Sequence, residues 1–459
     1  MSLPHPVASA CPLYSPASSS AAFNQLIAAG TLIAALVAAT PFAQRIGGDK
    51  AFTAIAVVTA ALTYAATVLA DRIEGRKALV FILGLAVVLR VYALSFHPFL
   101  SSDVYRYVWD GTVQAAGINP YRYVPADPAL AQLRDAAIYP NINRANYAVT
   151  IYPPVAEFFF LVASRFGAST LVMRLAMLTC EALSVFVMLL MLRRMQQPLT
   201  RIVAYAWHPL AIWEIANGGH VDSLMMALAL VGLWAAIGGR PQSGAFAVAL
   251  ASLAKPLAAP AFAVIWRPWN WKIPVIVVAA VALCYLPYLS VGWGVLGFLT
   301  HGYLNEEGLD SGGGFWLLSL WRLAFGTSRY DVAGYVALAG ALLLYLALRA
   351  AFQRTQNAAV TLCDANVLFL AALLLLSPEY PWYYVILVPF GALLRNVPIW
   401  APTLAPTWAM SVGALLLTAA TTSNAHATLI VKSVLFGSAL SCWAWSAWSR
   451  RQKRPLTVQ

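Results

Sequence analysis

From residue 23 to residue 447 the chain is a succession of apolar runs, at 23–43, 51–70, 78–96, 151–167, 170–192, 202–216, 221–238, 244–265, 273–291, 332–350, 365–377, 382–394, 404–422 and 427–447. None shows the apolar–polar alternation of a half-buried strand, and several approach the roughly 20 residues that carry a helix across about 30 Å of hydrocarbon. In lipid every backbone polar group must be satisfied internally, and without strand alternation that leaves helices. The shorter runs read as half-helices or re-entrant pieces. With 61% hydrophobic residues, 10% charged residues and a mean hydropathy of +0.72, the chain is excluded as an ordinary soluble enzyme, a disordered protein or a nucleic-acid module. The expected fold is an all-α polytopic membrane protein of about 12 transmembrane helices. Its transmembrane domain would occupy 23–447, between a disordered tail at 1–22 and a basic cytoplasmic tail at 448–459.

The net charge of +12, from 29 Lys+Arg against 17 Asp+Glu, marks cytoplasmic loops in such a chain rather than a nucleic-acid partner. The cluster Arg450, Arg451, Lys453 and Arg454 places the C-terminal tail in the cytoplasm. Arg72, Arg76 and Lys77 do the same for the loop before 78–96, which sends 97–150 to the outer face. Arg193, Arg194 and Arg201 also look cytoplasmic, yet three apolar runs separate these two basic loops. An odd number of crossings cannot serve both. Either 151–167 fails to cross or the positive-inside rule breaks once. The five cysteines have no CxxC spacing, so no disulfide framework or zinc site is legible. The Ser-, Pro- and Ala-rich first 20 residues have no basic region ahead of the first apolar run and read as a loose tail rather than a cleaved signal.

Two polar intervals interrupt the pattern. Residues 97–150 carry Asp103, Asp110, Asp127 and Asp135 against Arg106, Arg122, Arg134 and Arg144, and 293–331 carries His301, Glu306, Glu307, Asp310 and a run of three glycines. Loops this long inside a compact chain are usually functional or disordered. In Ser101-Ser102-Asp103-Val104-Tyr105-Arg106-Tyr107-Val108-Trp109-Asp110-Gly111, a helix would put Asp103, Arg106 and Tyr107 on one stripe, with Asp110 following. In a soluble protein that stripe would be a solvated face; against a membrane, polar clusters are costly and usually functional.

The remaining motifs admit two readings each. Asn119-Pro120-Tyr121 and Tyr152-Pro153-Pro154 are turn and helix-start chemistry as readily as substrate contacts, and Glu157 would sit where a helix N-terminus favours a carboxylate. In Asn217-Gly218-Gly219-His220-Val221-Asp222 the glycine pair permits a break that places His220 and Asp222 at an interface, near His208 and Glu214; no metal-binding spacing is matched. Lys255, before Pro256, either snorkels to the interface or offers a point charge to a phosphate. Ser377-Pro378-Glu379-Tyr380-Pro381-Trp382-Tyr383-Tyr384 is either an aromatic belt or a platform of flat rings for a sugar, with Glu379 hard to explain as belt.

In this order along the chain, Asp103 to Tyr121, Tyr152-Pro153-Pro154, Gly219 to Asp222, Lys255-Pro256 and Ser377 to Tyr383 resemble the polytopic GT-C glycosyltransferases. The nearest likeness is to the bacterial mannosyltransferases that use polyprenyl-phosphate mannose. The resemblance implies a GT-C-like bundle with 97–150 as catalytic outer loop and 293–331 as second outer loop. It also implies a multi-pass enzyme of the bacterial inner membrane, its site facing outward, with membrane lipids around it. Such an enzyme moves a hexose from a polyprenyl-phosphate sugar donor to a lipid or glycan acceptor, with inversion. Family members place an acidic residue of the first outer loop as base, a position that falls on Asp103. Arg106, Tyr107, Asp110, Asn119, Tyr121, Tyr152, His220, Asp222, Lys255, Glu379, Trp382 and Tyr383 then become the expected substrate-binding residues. No cofactor is implied, no nucleotide-binding fingerprint is present, and a divalent metal is neither required nor excluded. The competing reading is a secondary transporter or lipid-linked-sugar flippase, which would use intramembrane acids such as Glu181 and Glu214.

Overall fold

The computed structural model describes residues 16–73, 75–296, 298, 302–354, 357–394, 401–420 and 425–452. The protein is an all-α polytopic membrane protein, with no strand among the described residues. Of the described helices, seven are long and apolar enough to cross a membrane; the number rises to eight if the bent pair Ala211–Asn217 and Asp222–Ile237 is one span. Helix α1 (Pro16–Ala70) has 55 residues, far more than one crossing needs, and is broken at Gly48, whose φ of 62° no helix tolerates. Its start at Pro16 makes residues 16–22 helical, where a tail was expected; residues 1–15 lie outside the described residues. At the other end the helix Ala425–Gln452 runs into the expected basic tail, of which 453–459 lie outside the described residues.

The shorter apolar helices are Pro154–Ser164, Pro256–Ile265, Trp316–Phe325, Pro381–Leu393 and Leu404–Ala420. Four of them begin with or contain proline, which lacks the N–H a continuous helix needs and therefore starts or kinks one. The chain thus mixes full spans with broken ones.

The two ends of the bundle are told apart by where the basic loops meet. The Arg201 guanidinium lies 3.0 Å from the Asp71 carboxylate, and the Thr200 hydroxyl donates to the carbonyls of Ala70 and Ile73. The two basic loops around 71–77 and 193–201 therefore sit together at one end. Helix α2 (Arg76–Leu94) leaves that end and α5 (Thr170–Arg194) returns to it. Between them α4 (Pro154–Ser164), at 11 residues and 1.5 Å per residue, is about half the thickness of the hydrocarbon. The region 151–167 does not cross, which removes the odd crossing and puts 97–150 at the end opposite both basic loops.

Helix α2 is joined to α5 inside the bundle by a buried ion pair, Arg90 to Glu181 at 2.8 Å, with the Arg90 guanidinium also donating to the Ala206 carbonyl. Glu181 is thereby a structural partner rather than a lone intramembrane acid. At the opposite end α3 (Asp103–Ala115) lies on α4 at backbone contact: a Cβ at Gly111 would come within 2.4 Å of the Phe160 carbonyl oxygen. Tyr107 of α3 stacks on Phe160 of α4 at 4.6 Å.

Candidate active site

A cavity of about 930 Å³ opens at the end away from the basic loops. Six segments supply most of its walls: the start of α3, the turn at 143–144, the stretch 151–153, the segment 254–260, the second polar interval at 303–309 and the motif at 376–383, with Glu214 added from the helix break. Asp103 is the first residue of α3, where the positive end of the helix dipole favours a carboxylate. The Asn143 amide donates to Asp103 Oδ1 at 2.7 Å, which leaves Oδ2 for other partners.

Lys255 follows the helix Pro241–Ala254 in extended geometry (φ −155°, ψ 126°), the conformation that a following proline imposes. Its Nζ lies 2.8 and 2.9 Å from the two Asp222 oxygens and 3.6 Å from the Tyr383 ring centroid. The cation is thus held by a carboxylate and an aromatic face while bordering the cavity. Asp222 itself is buried and lies one layer behind the lining. Trp382 stacks on Tyr380 at 4.5 Å and on His220 at 4.0 Å, and the Tyr383 hydroxyl is bonded to that of Tyr303 from the second interval. The turn that presents these rings depends on Ser377, left-handed at φ 49°, whose hydroxyl accepts the Trp316 N–H.

His220 is reached through a bend of 116° between Ala211–Asn217 and Asp222–Ile237. Gly219 turns the chain at φ 68°, a conformation open to glycine, and the Asn217 amide donates to the carbonyls of Ala93 and His97. His220 is fully buried, between Asp103 and Glu214.

Arg106 and Asp110 share the stripe with Asp103 but turn away from the cavity. Both are buried; the Arg106 Nε–H is shared between the two Asp110 oxygens at 2.9 and 3.0 Å, and Nη1 donates to the Ala148 carbonyl. Glu157, at the start of α4, accepts from the Thr150 hydroxyl at 2.6 Å and from the Gln114 amide at 2.8 Å. Burial raises both carboxyls: Asp110 goes above its ordinary value against the lowering pull of the Arg106 charge, and Glu157 goes well above it, pushed further by the Asp110 charge. Asn119 caps its own turn and donates to the Tyr288 carbonyl and the Ser290 hydroxyl, while the Tyr121 hydroxyl donates to the Tyr152 carbonyl at 2.6 Å. Glu379 is bonded to Lys432 of the last helix at 3.0 Å.

Of the residues singled out in the sequence, the structure brings Asp103, Tyr107, Tyr152, Lys255, Trp382 and Tyr383 to the cavity. His220 and Asp222 lie directly behind it, whereas Arg106, Asp110, Asn119, Tyr121 and Glu379 make protein–protein bonds away from the lining. Lining residues outside the expected set are Asn143, Arg144, Glu214, Tyr303, Glu306 and Glu307. Arg144 bridges the two polar intervals through Glu306, and burial raises the Glu307 carboxyl. Glu214 stands out in the sequence as an acid inside the apolar run 202–216; for the other five the only signal is membership of the long polar intervals. Among the described residues no group of three or more His, Cys, Asp or Glu is gathered as a metal would require. On one aromatic-lined cavity, the acid can accept a proton and the held cation can balance a departing anion.

Residues 85–270 match the model of the MptA_B family, described as alpha-(1->6)-mannopyranosyltransferase, N-terminal domain. The chain is a glycosyltransferase. The matched region runs from α2 through the first polar interval and the helix break to Lys255, and so holds the expected base, the glycine bend and the cation of this glycosyltransferase. The match supports mannosyl transfer as its function. No curated protein and no solved structure matches the chain.

Proposed function

We propose that the enzyme transfers mannose from a polyprenyl-phosphate donor to a hydroxyl of a lipid or glycan acceptor, with inversion, at the outer face of a bacterial inner membrane, in the manner of the GT-C enzymes. One observation carries the reading: Asp103, from the first polar interval, and Lys255, held by Asp222 and Tyr383, border the same cavity. In the proposed step the acceptor O–H bond breaks and its proton passes to the Asp103 carboxylate. The acceptor oxygen bonds to the anomeric carbon as the bond to the phosphate oxygen breaks, its electron pair leaving with the phosphate. Lys255 stands where negative charge grows on that leaving group.

Trp382, Tyr383 and Tyr380 offer flat apolar faces to the sugar, and Leu257, Leu343 and Leu376 give the polyprenyl chain an apolar flank. The outward orientation is supported by the two basic loops at the opposite end of the bundle. Arg106 and Asp110 serve in this reading to hold α3 and the 148–153 stretch, not to touch substrate. The test is transfer in proteoliposomes from radiolabelled polyprenyl-phosphate mannose to a membrane lipid extract, with Asp103→Asn alongside. Label appearing in acceptor with wild type, and falling at least about a hundredfold with the variant, is the expected result. Donor that crosses the bilayer unconsumed would overturn it.

A further inference from the structure

His220 lies between two carboxylates. Its Nδ1 is 3.8 Å from Asp103 Oδ2 and its Nε2 is 3.4 Å from Glu214 Oε2. The ring is fully buried and clamped on Trp382, with centroids 4.0 Å apart and planes 16° from parallel. Both ring nitrogens and Glu214 Oε2 are buried and have no hydrogen-bond partner among the described residues. Buried polar atoms are almost always paired, so three unpaired ones facing each other beneath a cavity call for an explanation.

The neighbouring charges are engaged elsewhere. Lys255 is closed on Asp222, and Arg174, packed against Gly219, donates to the Phe96 carbonyl. Arg144 is bonded to Glu306. On the Asp103 side Tyr107 and Tyr152 contribute phenol rings in edge contact, and Glu307 and Tyr303 complete the cavity wall. The imidazole therefore faces two carboxylates and no other charge competes for it. Carboxylates accept on both sides of this ring, so both contacts are made only when each ring nitrogen carries a hydrogen; a ring with a single N–H can serve one of them.

We propose that His220 is a positioning residue for Asp103: held by Glu214 on one side and stacked on Trp382, it orients the Asp103 carboxylate that receives the acceptor proton. Asn143 fixes Oδ1 of that carboxylate at 2.7 Å and His220 Nδ1 stands 3.8 Å from Oδ2, so each oxygen has its own neighbour. Glu214 acts through His220. The proposal rests on the reading of Asp103 as base.

The test uses full-length enzyme in proteoliposomes, with kcat and both KM values measured for wild type, His220→Ala, Glu214→Gln, Asp103→Asn and the His220→Ala/Asp103→Asn double variant. His220→Ala is expected to lower kcat by about 30- to 100-fold with donor and acceptor KM within about twofold of wild type. Added imidazole is expected to restore at least about a tenth of kcat, filling the space the ring left. Glu214→Gln is expected to lose about tenfold in kcat, and the double variant to fall no further than Asp103→Asn alone. Unchanged kcat in folded His220→Ala, a loss confined to KM, or no rescue by imidazole overturns the proposal. If His220→Ala does not fold, wild-type kcat in Glu214→Gln overturns it instead. An active Asp103→Asn variant would instead sink the base assignment itself, which separates the two failures.

Discussion

Arg106 and Asp110 are closed on each other one turn apart, by one Nε–H shared between two carboxylate oxygens at 2.9 and 3.0 Å, with neither side chain more than 4% exposed. The pair shares its helical stripe with Asp103, yet only Asp103 reaches the cavity. Two acids that look alike in the sequence therefore have separate duties. Asp103→Asn is expected to lose about 10² or more in transfer rate while melting at the wild-type temperature in detergent. Asp110→Ala leaves a buried guanidinium without its carboxylate and should cost about 3–5 kcal/mol of stability. Melting curves of the two variants, read beside their transfer rates, check the division; a stable, inactive Asp110→Ala would reverse it.

Lys255 is the cation of the cavity, and its charge is what the proposed step uses. Lys255→Gln keeps much of the length and a hydrogen-bond donor but no charge, and is expected to lower kcat by about 10²–10³. Asp222→Asn retains an acceptor for the ammonium and should cost less, about tenfold. Initial rates at saturating donor decide the order of the two.

Glu307 borders the cavity half-buried, and desolvation raises its carboxyl above the ordinary value of 4.5. The folded state then binds this proton more tightly than the unfolded chain does. Stability contributed by the group is complete below the unfolded value and declines as pH rises through the raised folded value. Glu307→Gln removes the cost of the buried charge. It is therefore expected to melt above wild type at pH 8, by about a few degrees, with the difference closing toward pH 4. Melting curves across that range check it, and a gap that widens on acidification would contradict it.

Gly111 is where α3 and α4 touch. A Cβ there would lie 2.2 Å from Ser164 Oγ and 2.4 Å from the Phe160 carbonyl oxygen. Since the backbone oxygen cannot swing aside, Gly111→Ala should push α3 off α4 and cost about 1–3 kcal/mol. Because Asp103 rides on α3, transfer should fall along with the melting temperature. Gly117→Ala, with no atom within 4 Å of its Cβ but a φ of 79°, tests backbone strain without the clash.

Arg90 and Glu181 pair inside the bundle at 2.8 Å. Arg90→Leu alone strands a buried carboxylate and should cost about 3–5 kcal/mol, whereas Arg90→Leu with Glu181→Leu should recover most of that loss. Retained transfer by the double variant would confirm that Glu181 has no part in the chemistry.

The sequence by itself determined the class of the molecule. Long apolar runs, few charges and no strand alternation leave helices as the answer in lipid, and the paired Pro and Gly motifs at 153–154, 218–219 and 378–381 marked where those helices break. It also isolated Asp103, Lys255 and the Trp382–Tyr383 platform, because a charge or a proline-bounded aromatic cluster stands out against an apolar background. Where each polar side chain points was decided by tertiary structure. Asp103 and Asp110 occupy equivalent-looking positions on one stripe, and only the packing of α3 against α4 turns one to the cavity and the other to Arg106. Asn119 and Tyr121 stand in a polar loop, and only the fold spends their hydrogen bonds on Tyr288, Ser290 and Tyr152. The crossing parity likewise stayed open until Arg201 met Asp71, a contact between residues 130 apart in the chain. Hydropathy is a local property and survives in one dimension; the direction of a side chain is set by neighbours from distant segments, which no local pattern contains.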